Sequence, residues 1–466
     1  MSMEEMSLHV GSLSATTASG GQAPRDLRAW IDAVERIGQL TRIREEVSRN
    51  EEMGAITYMA HQEINAPTLL FEKIKESPPG YRALWNPIGS SVDRFAGAIG
   101  EPPGLGVMEL VRRCKSKFSL SIPPVIVDGL GQPANENHLR DDKVDIRDFP
   151  AARHWARDGG EYIGTCWSRG EACEVVMCWG IDPALFIVAC QTFPKTVSEL
   201  DFAGGLMGRP VELVKGEVTS LVYPARAEIV AEGIIPPDSQ KLEGPFGEFT
   251  GYYGRPEDLA FLVHVKAVHH RDNPILTHAL MADYPANENS TLFSVARSAR
   301  IWNDLDRLGV PGIRGVYSHP AAAGGWGMTV VSLEQRYAGH AAQALALAAQ
   351  CPGGAYYAKW IIAVDEDVDP SNMNQVIWAM STRCNPVEDI DILRNTWSTW
   401  LDPTQNPPDE RPYGSKALIN ACMEHRYIKQ FSKRTKIRRS VYENVAARWA
   451  QLGFTGQPPQ LWALED

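Results

Sequence analysis

The 466-residue sequence carries a formal net charge of −11, which argues against a general nucleic-acid-binding surface while leaving room for a local basic patch. Hydrophobic residues at 44% and charged residues at 22% are ordinary globular composition, with chain enough for more than one core. No window approaches a membrane-spanning apolar run, and residues 1–24 read as a loose tail without the basic-then-apolar order of a secretion signal.

Asp26 stands where it can cap a helix through LRAWIDAVERIGQL, whose apolar residues Leu27, Trp30, Ile31, Val34 and Ile37 recur at three and four. Gly38 ends that helix, TRIREEV resumes as a strand, and EEMGAITYMAHQE reads as a second helix. With APTLLFEKI and YRALWNPIG they form an N-terminal α/β domain over 25–125. From 126 to 315 the stretches CEVVMCWG, LFIVACQ, PVELVKGEV, AEIVAEG and LAFLVHVKAVHH are short, apolar and divided by Gly, Pro and charges. They predict a largely β domain, closed by the helix FSVARSARIWNDLDRLG. From 316 to 466 the helices AGHAAQALALAAQ and MNQVIWAMSTR alternate with the strand YAKWIIAV, which predicts an α/β C-terminal domain. The last helix, SVYENVAARWAQLG, packs either at home or against another subunit. No GxGxxG leads into a helix, so a dinucleotide-binding domain lacks its signal.

The eight cysteines contain no CxxC pair, so they announce no zinc site and read as free thiols in a reducing cytoplasm. The histidines form no HExxH, and no GxSxG elbow is present. The sharpest segment is EGPFGEFTGYYG, where glycines and a proline frame Glu243 and Glu248. A tight bend can hold two acids at a cavity wall in different environments, one ionised and one protonated. The same composition also suits a plain surface turn. Glu199, ahead of a glycine-rich helix, could sit at a positive helix start or contribute to a cation site, and one carboxylate alone makes no metal site. VDEDVDP lacks the spacing of a calcium loop and reads as a solvated acidic loop or as partial support to a remote site. Lys359 could reach a phosphate or stand as an edge charge.

Taken together, FPAARHWARDGGEY, SELDFAGGLMGRPVELVKGE, ARAEIVAEG, EGPFGEFTGYY and AKWIIAVDEDVDP occur in an order that resembles the UbiD-like prenylated-FMN-dependent decarboxylases. The resemblance runs over roughly 25–455 and implies an α/β multidomain fold. Its parts would be an N-terminal α/β region, a central split β-barrel that binds the flavin, and a C-terminal α/β oligomerisation domain. It implies reversible, non-oxidative decarboxylation of an aromatic or heteroaromatic acid through a covalent prenylated-FMN adduct. Manganese or another divalent cation and potassium would accompany the cofactor. A separate flavin prenyltransferase would supply it, and the chain would form a homodimer or homohexamer. By matching motif, Glu248 looks like the catalytic acid and Glu243 like the carboxylate that orders an active-site arginine. Glu199 looks like the metal ligand, and Lys359, Ala189, Cys190 and Gln191 like cofactor contacts. Phe249, Leu292 and Ile362 are expected to shape the substrate pocket.

One stretch departs from that pattern. The family continues past DGGxY through two strands that carry an Asn, an Arg and a later His. Here DGGEYIGTCW runs directly into SRGEACEVV. About 45 residues of the pattern are absent between Trp167 and Ser168, a loss that would strip backbone partners from a barrel. Arg169 lies nearby, but its surroundings do not match those of the expected arginine. A genuine deletion would leave a non-catalytic cofactor carrier or assembly protein. The retained glutamates and the exposed strand edges favour instead a segment missing from this sequence. Other substrates consistent with the resemblance are aromatic acyl-thioesters and conjugated alkenoic acids, and a conventional flavin oxidoreductase is the rival enzyme class.

Overall fold

The structure is a computed structural model that describes residues 23–158, 172–191, 198–254, 256–405, 410, 413–461 and 464–465. It opens with the expected helix, Leu27–Arg36, whose cap Asp26 accepts a hydrogen bond from the Ala29 N–H at 2.9 Å. Leu27, Trp30, Ile31 and Val34 are its buried face.

Of the five sheets among the described residues, the three largest organise the α/β fold. The first has the strand order Leu40–Ile43, Thr68–Phe71, Arg82–Trp85, Ile275–His278. Its last strand comes from nearly two hundred positions further along the chain and pairs parallel to Arg82–Trp85, with His278 opposite Trp85. The N-terminal region is thus not closed off at residue 125. The central sheet is antiparallel, in the order Asn137–Arg140, His264–His270, Ile229–Ile235, Cys173–Trp179. The C-terminal sheet runs Ile313–Ser318, Met328–Leu333, Trp360–Asp365, Gly414–Ala421, Ile390–Thr396. Its three inner strands are parallel and its edges antiparallel.

Glu228 fastens the first two sheets together. It is fully buried, and Arg28 donates Nε and Nη2 to its two oxygens at 2.8 Å each. Arg271 reaches it at 3.3 Å, and the Ile275 N–H, at the start of the crossing strand, at 3.2 Å. A single large core cluster includes Leu27, Leu84, Leu110, Ile187, Leu213, Ile275, Leu292, Ala344 and Ile361, so all three regions share one interior.

The expected multidomain α/β fold is met, and the expected split barrel is not seen among the described residues. Among the described residues the central sheet is open, and no residue of its edge strand Cys173–Trp179 is fully buried. The junction of Trp167 with Ser168, and Arg169, lie outside the described residues. Two local expectations are corrected. LFIVACQ is not a strand: Pro183–Ala189 is a helix, because Asp182 caps it through the Ala184 N–H at 2.8 Å and Pro183 occupies its first turn. The acidic run VDEDVDP is not a solvated loop. Asp365 and Asp367 are buried and both pair with Arg383, at 2.7 and 2.8 Å. Among the described residues no helix is long and apolar enough to cross a membrane.

Candidate active site

The bend after Gln240–Glu243 carries the site. Gly244 has φ +89° and Gly251 has φ +79°, conformations that glycine adopts without strain. The bend closes on itself: the Glu248 N–H donates to the Tyr252 carbonyl at 2.9 Å, and the Gly251 N–H to the Glu248 carbonyl at 2.8 Å. Glu248 is thereby turned onto a cavity of about 190 Å³. Trp179, Phe246, Leu276 and Met281 give that cavity apolar walls, and His154, Asp158 and His278 give it polar ones. The volume is below the roughly 300–1,000 Å³ of drug-sized ligand sites, so it suits a small ring.

Burial dominates the electrostatics. The Glu248 carboxyl is pushed up to about 7, first by desolvation and further by the Asp158 charge, against a lowering hydrogen bond from the Phe249 backbone. His154 is pushed down to about 4 and His278 to about 3, both chiefly by burial, so both rings are neutral near pH 7. His278 stacks on Trp85 at 4.6 Å between ring centres, and its Nε2 lies 2.9 Å from the Pro150 carbonyl. Phe249 is buried beside the bend, packs edge-on against Tyr357 at 5.7 Å, and its carbonyl accepts from Asn287 Nδ2 at 3.0 Å.

The other expected site residues are distributed around this cavity rather than gathered in it. Glu243 ends its strand opposite Asp258 and is not among the cavity-lining residues. Cys190 caps the helix Pro183–Ala189, with Ala189 as the last helical residue and Gln191 next to it. Burial pushes the Cys190 thiol up to about 12, with added contributions from the Glu288 and Glu199 charges. Glu199 is the first residue of the helix Glu199–Met207, behind its cap Ser198. Lys359 lies in a separate cavity of about 500 Å³ with Trp360, Trp397 and Tyr413. There it pairs with Asp402 at 2.8 Å and with Thr404 Oγ1 at 3.1 Å. Leu292 and Ile362, expected at the pocket wall, are instead fully buried in two core clusters, because the helix Asn289–Arg307 and the strand Trp360–Asp365 that carry them are buried on nearly every side.

Asp158, His154, His278 and Trp179 were not singled out from sequence. The signal available for Asp158 was its place before two glycines in RHWARDGG. Among the described residues one group of three could hold a metal ion, His138, Glu217 and His269. Glu217 there already pairs with the Arg140 guanidinium, and Glu199 is not part of the group. For a flavin the structure offers two unmet polar groups. His154 Nε2 and Gln191 Nε2 are buried without a partner among the described residues. Leaving such a group unmet costs about 1–3 kcal/mol, and flavin ring nitrogens and carbonyls would meet it.

Three family models match this chain. They are the N-terminal domain of 3-octaprenyl-4-hydroxybenzoate carboxy-lyase over residues 31–114, its Rift-related domain over 164–284 and its C-terminal domain over 290–421. Pyrrole-2-carboxylic acid decarboxylase of Pseudomonas aeruginosa is 29% identical over 496 aligned positions, covering 92% of this chain and 98% of that protein. The alignment is longer than this chain, so that relative carries residues with no counterpart here. The open form of vanillic acid decarboxylase from Sedimentibacter hydroxybenzoicus superposes with a TM-score of 0.81 at 26% identity, covering 93% of this chain and all of that one. An evolved dimeric form of the UbiD-class enzyme HmfF from Pelotomaculum thermopropionicum, in complex with prFMN, gives a TM-score of 0.74 at 25% identity over 90% and 99% of the two chains.

Proposed function

The chain belongs to the UbiD family of carboxy-lyases, and from that premise we propose that it reversibly decarboxylates a small aromatic or heteroaromatic acid with prenylated FMN. The observation that carries the reading is Glu248, a carboxyl that keeps its proton up to about pH 7 while facing a cavity of about 190 Å³. When bound, prenylated FMN supplies the electron sink that an aryl carboxylate lacks.

The protein's own groups do the rest. Trp179, Leu276 and Met281 exclude water from the ring. Glu248, protonated, delivers its proton to the carbon that has lost carbon dioxide, and in the reverse direction takes it back. Glu243 is proposed to order a carboxylate-binding arginine. Ala189, Cys190, Gln191 and Lys359 would contact the flavin, and Glu199 would hold Mn2+ or another divalent cation, with K+ beside it. The Gln191 amide, buried without a partner among the described residues, supports a polar ligand at this place. Phe249 would border the substrate.

The half-exposed edge strand Cys173–Trp179 supports a further segment between Trp167 and Ser168 that extends the central sheet into the split barrel and brings the arginine and the remaining metal ligands. Exposed Tyr427, Ile437, Leu452 and Phe454 in the C-terminal stretch support a homodimer or homohexamer. The seven cysteines among the described residues are unpaired, which supports a cytoplasmic setting where a separate prenyltransferase provides the flavin.

The reading is tested by Glu248→Gln in the reconstituted enzyme. We expect flavin binding to persist and decarboxylation of pyrrole-2-carboxylate or hydroxybenzoates to fall by about 100-fold or more, the scale of a lost general acid. Near-normal turnover would refute the role of Glu248.

A further inference from the structure

Asp158 lies between two strands of the central sheet, Asn137–Arg140 and Cys173–Trp179, and its side chain meets three backbone N–H groups. Oδ2 accepts from Trp155 at 2.9 Å and from His154 at 3.2 Å. Oδ1 accepts from Gly247 at 3.1 Å. One carboxylate therefore ties its own turn to the bend that bears Glu248, the next residue after Gly247. Because all three partners are donors, both oxygens must accept. Asparagine would turn its NH2 toward one of them and break that tie.

The two loops approach closely enough that no side chain fits between them. A Cβ at Gly247 would lie 2.3 Å from Trp155 Cδ1. Trp155 is itself anchored by its Nε1–H, which donates to the Met281 carbonyl at 3.2 Å. A second tie runs alongside, from the Arg157 N–H to the Tyr253 hydroxyl at 3.0 Å. Arg153 holds the Asp158 carbonyl through Nε at 3.1 Å.

We propose that Asp158 is a positioning residue for the proton donor, joining the His154–Trp155 turn to the Gly247 bend and fixing a negative charge beside Glu248. This rests on the proposed decarboxylation. Asp158 and Glu248 line the same cavity. Among the described residues, the other titratable groups around Glu248 are Tyr356, from the turn after the helix His340–Gln350, whose hydroxyl feels the Glu248 charge, and the neutral rings of His154 and His278 on the cavity wall. Burial raises Asp158 too, but its three N–H donors and Arg153 work in the opposite sense. Of the two acids Asp158 is therefore the one that stays ionised, and Glu248 keeps the proton.

The test uses the flavin-loaded wild type and the variants Asp158→Asn and Asp158→Glu. Two readouts are followed: kcat and KM against pH, and the Glu248 carboxyl titration by isotope-edited infrared spectroscopy without substrate. In Asp158→Asn we expect kcat to fall more than KM changes. The alkaline limb and the Glu248 titration should both move about one pH unit lower, since removing a like charge lets the acid ionise sooner. Asp158→Glu, which keeps the charge, should retain the wild-type limb while kcat falls from misplacement. A folded, flavin-bound Asp158→Asn with an unmoved limb and titration overturns the proposal. If Asp158→Asn does not fold, Asp158→Glu decides, and a limb displaced to lower pH there overturns it equally. A wild type that turns over no aryl acid would sink the functional reading, whereas the Glu248 titration would still report on Asp158.

Discussion

Glu248 shows how far a single residue can be read in advance. Its glycine-framed neighbourhood is plain in the sequence, and so is its pairing with Glu243. What could not be read is its protonation state, because that depends on Trp179, Leu276 and Met281 from other parts of the chain and on Asp158, ninety positions earlier. A carboxyl held up to about 7 has a consequence for stability as well as for rate. Between its unfolded value, about 4.3, and 7, the folded protein binds a proton that the unfolded chain has lost, so this group makes stability fall as pH rises. Glu248→Gln removes that dependence. We expect the variant to melt above the wild type at pH 8 and level with it near pH 4, measured by calorimetry on flavin-free protein. A lower melting temperature at pH 8 would contradict the assigned environment.

Among elements, those with strong periodicity and caps were legible and those with short apolar runs were not. Asp26 and the spacing of Leu27, Trp30, Ile31 and Val34 specify their helix unaided. LFIVACQ has the composition of a buried strand, and only the Asp182–Pro183 pair ahead of it marks the helix that forms. Charge was misread for a related reason. Asp365 and Asp367 look solvated until Arg383 folds back across them from the next helix, Met373–Arg383. The joint at Glu228 is of the same kind, with Arg28 and Arg271 arriving from opposite sides of the chain. Glu228→Ala would leave two arginines facing an empty buried pocket. We expect a loss of about 3–5 kcal/mol in urea unfolding, the scale for breaking a buried pair by removing one partner.

At the scale of the whole molecule, the order of α/β, β and α/β regions was visible in the sequence, while their interweaving was not. Nothing in ILTH announces that it completes a sheet begun at Leu40, because parallel pairing over such a separation leaves no local pattern. The segment proposed between Trp167 and Ser168 also belongs to this scale. The protein purified from its natural source should have an intact mass above that of the 466-residue sequence. A mass equal to it would establish the deletion and remove the carboxylate-binding arginine from the proposal. The borrowed strand Ile275–His278 bears on how this chain can be handled in pieces. Expressed alone, residues 23–125 would present Arg82–Trp85 as a raw β-edge and Trp85 without its histidine cover, inviting aggregation. Anyone seeking a minimal fragment should graft that strand onto it or keep the chain whole.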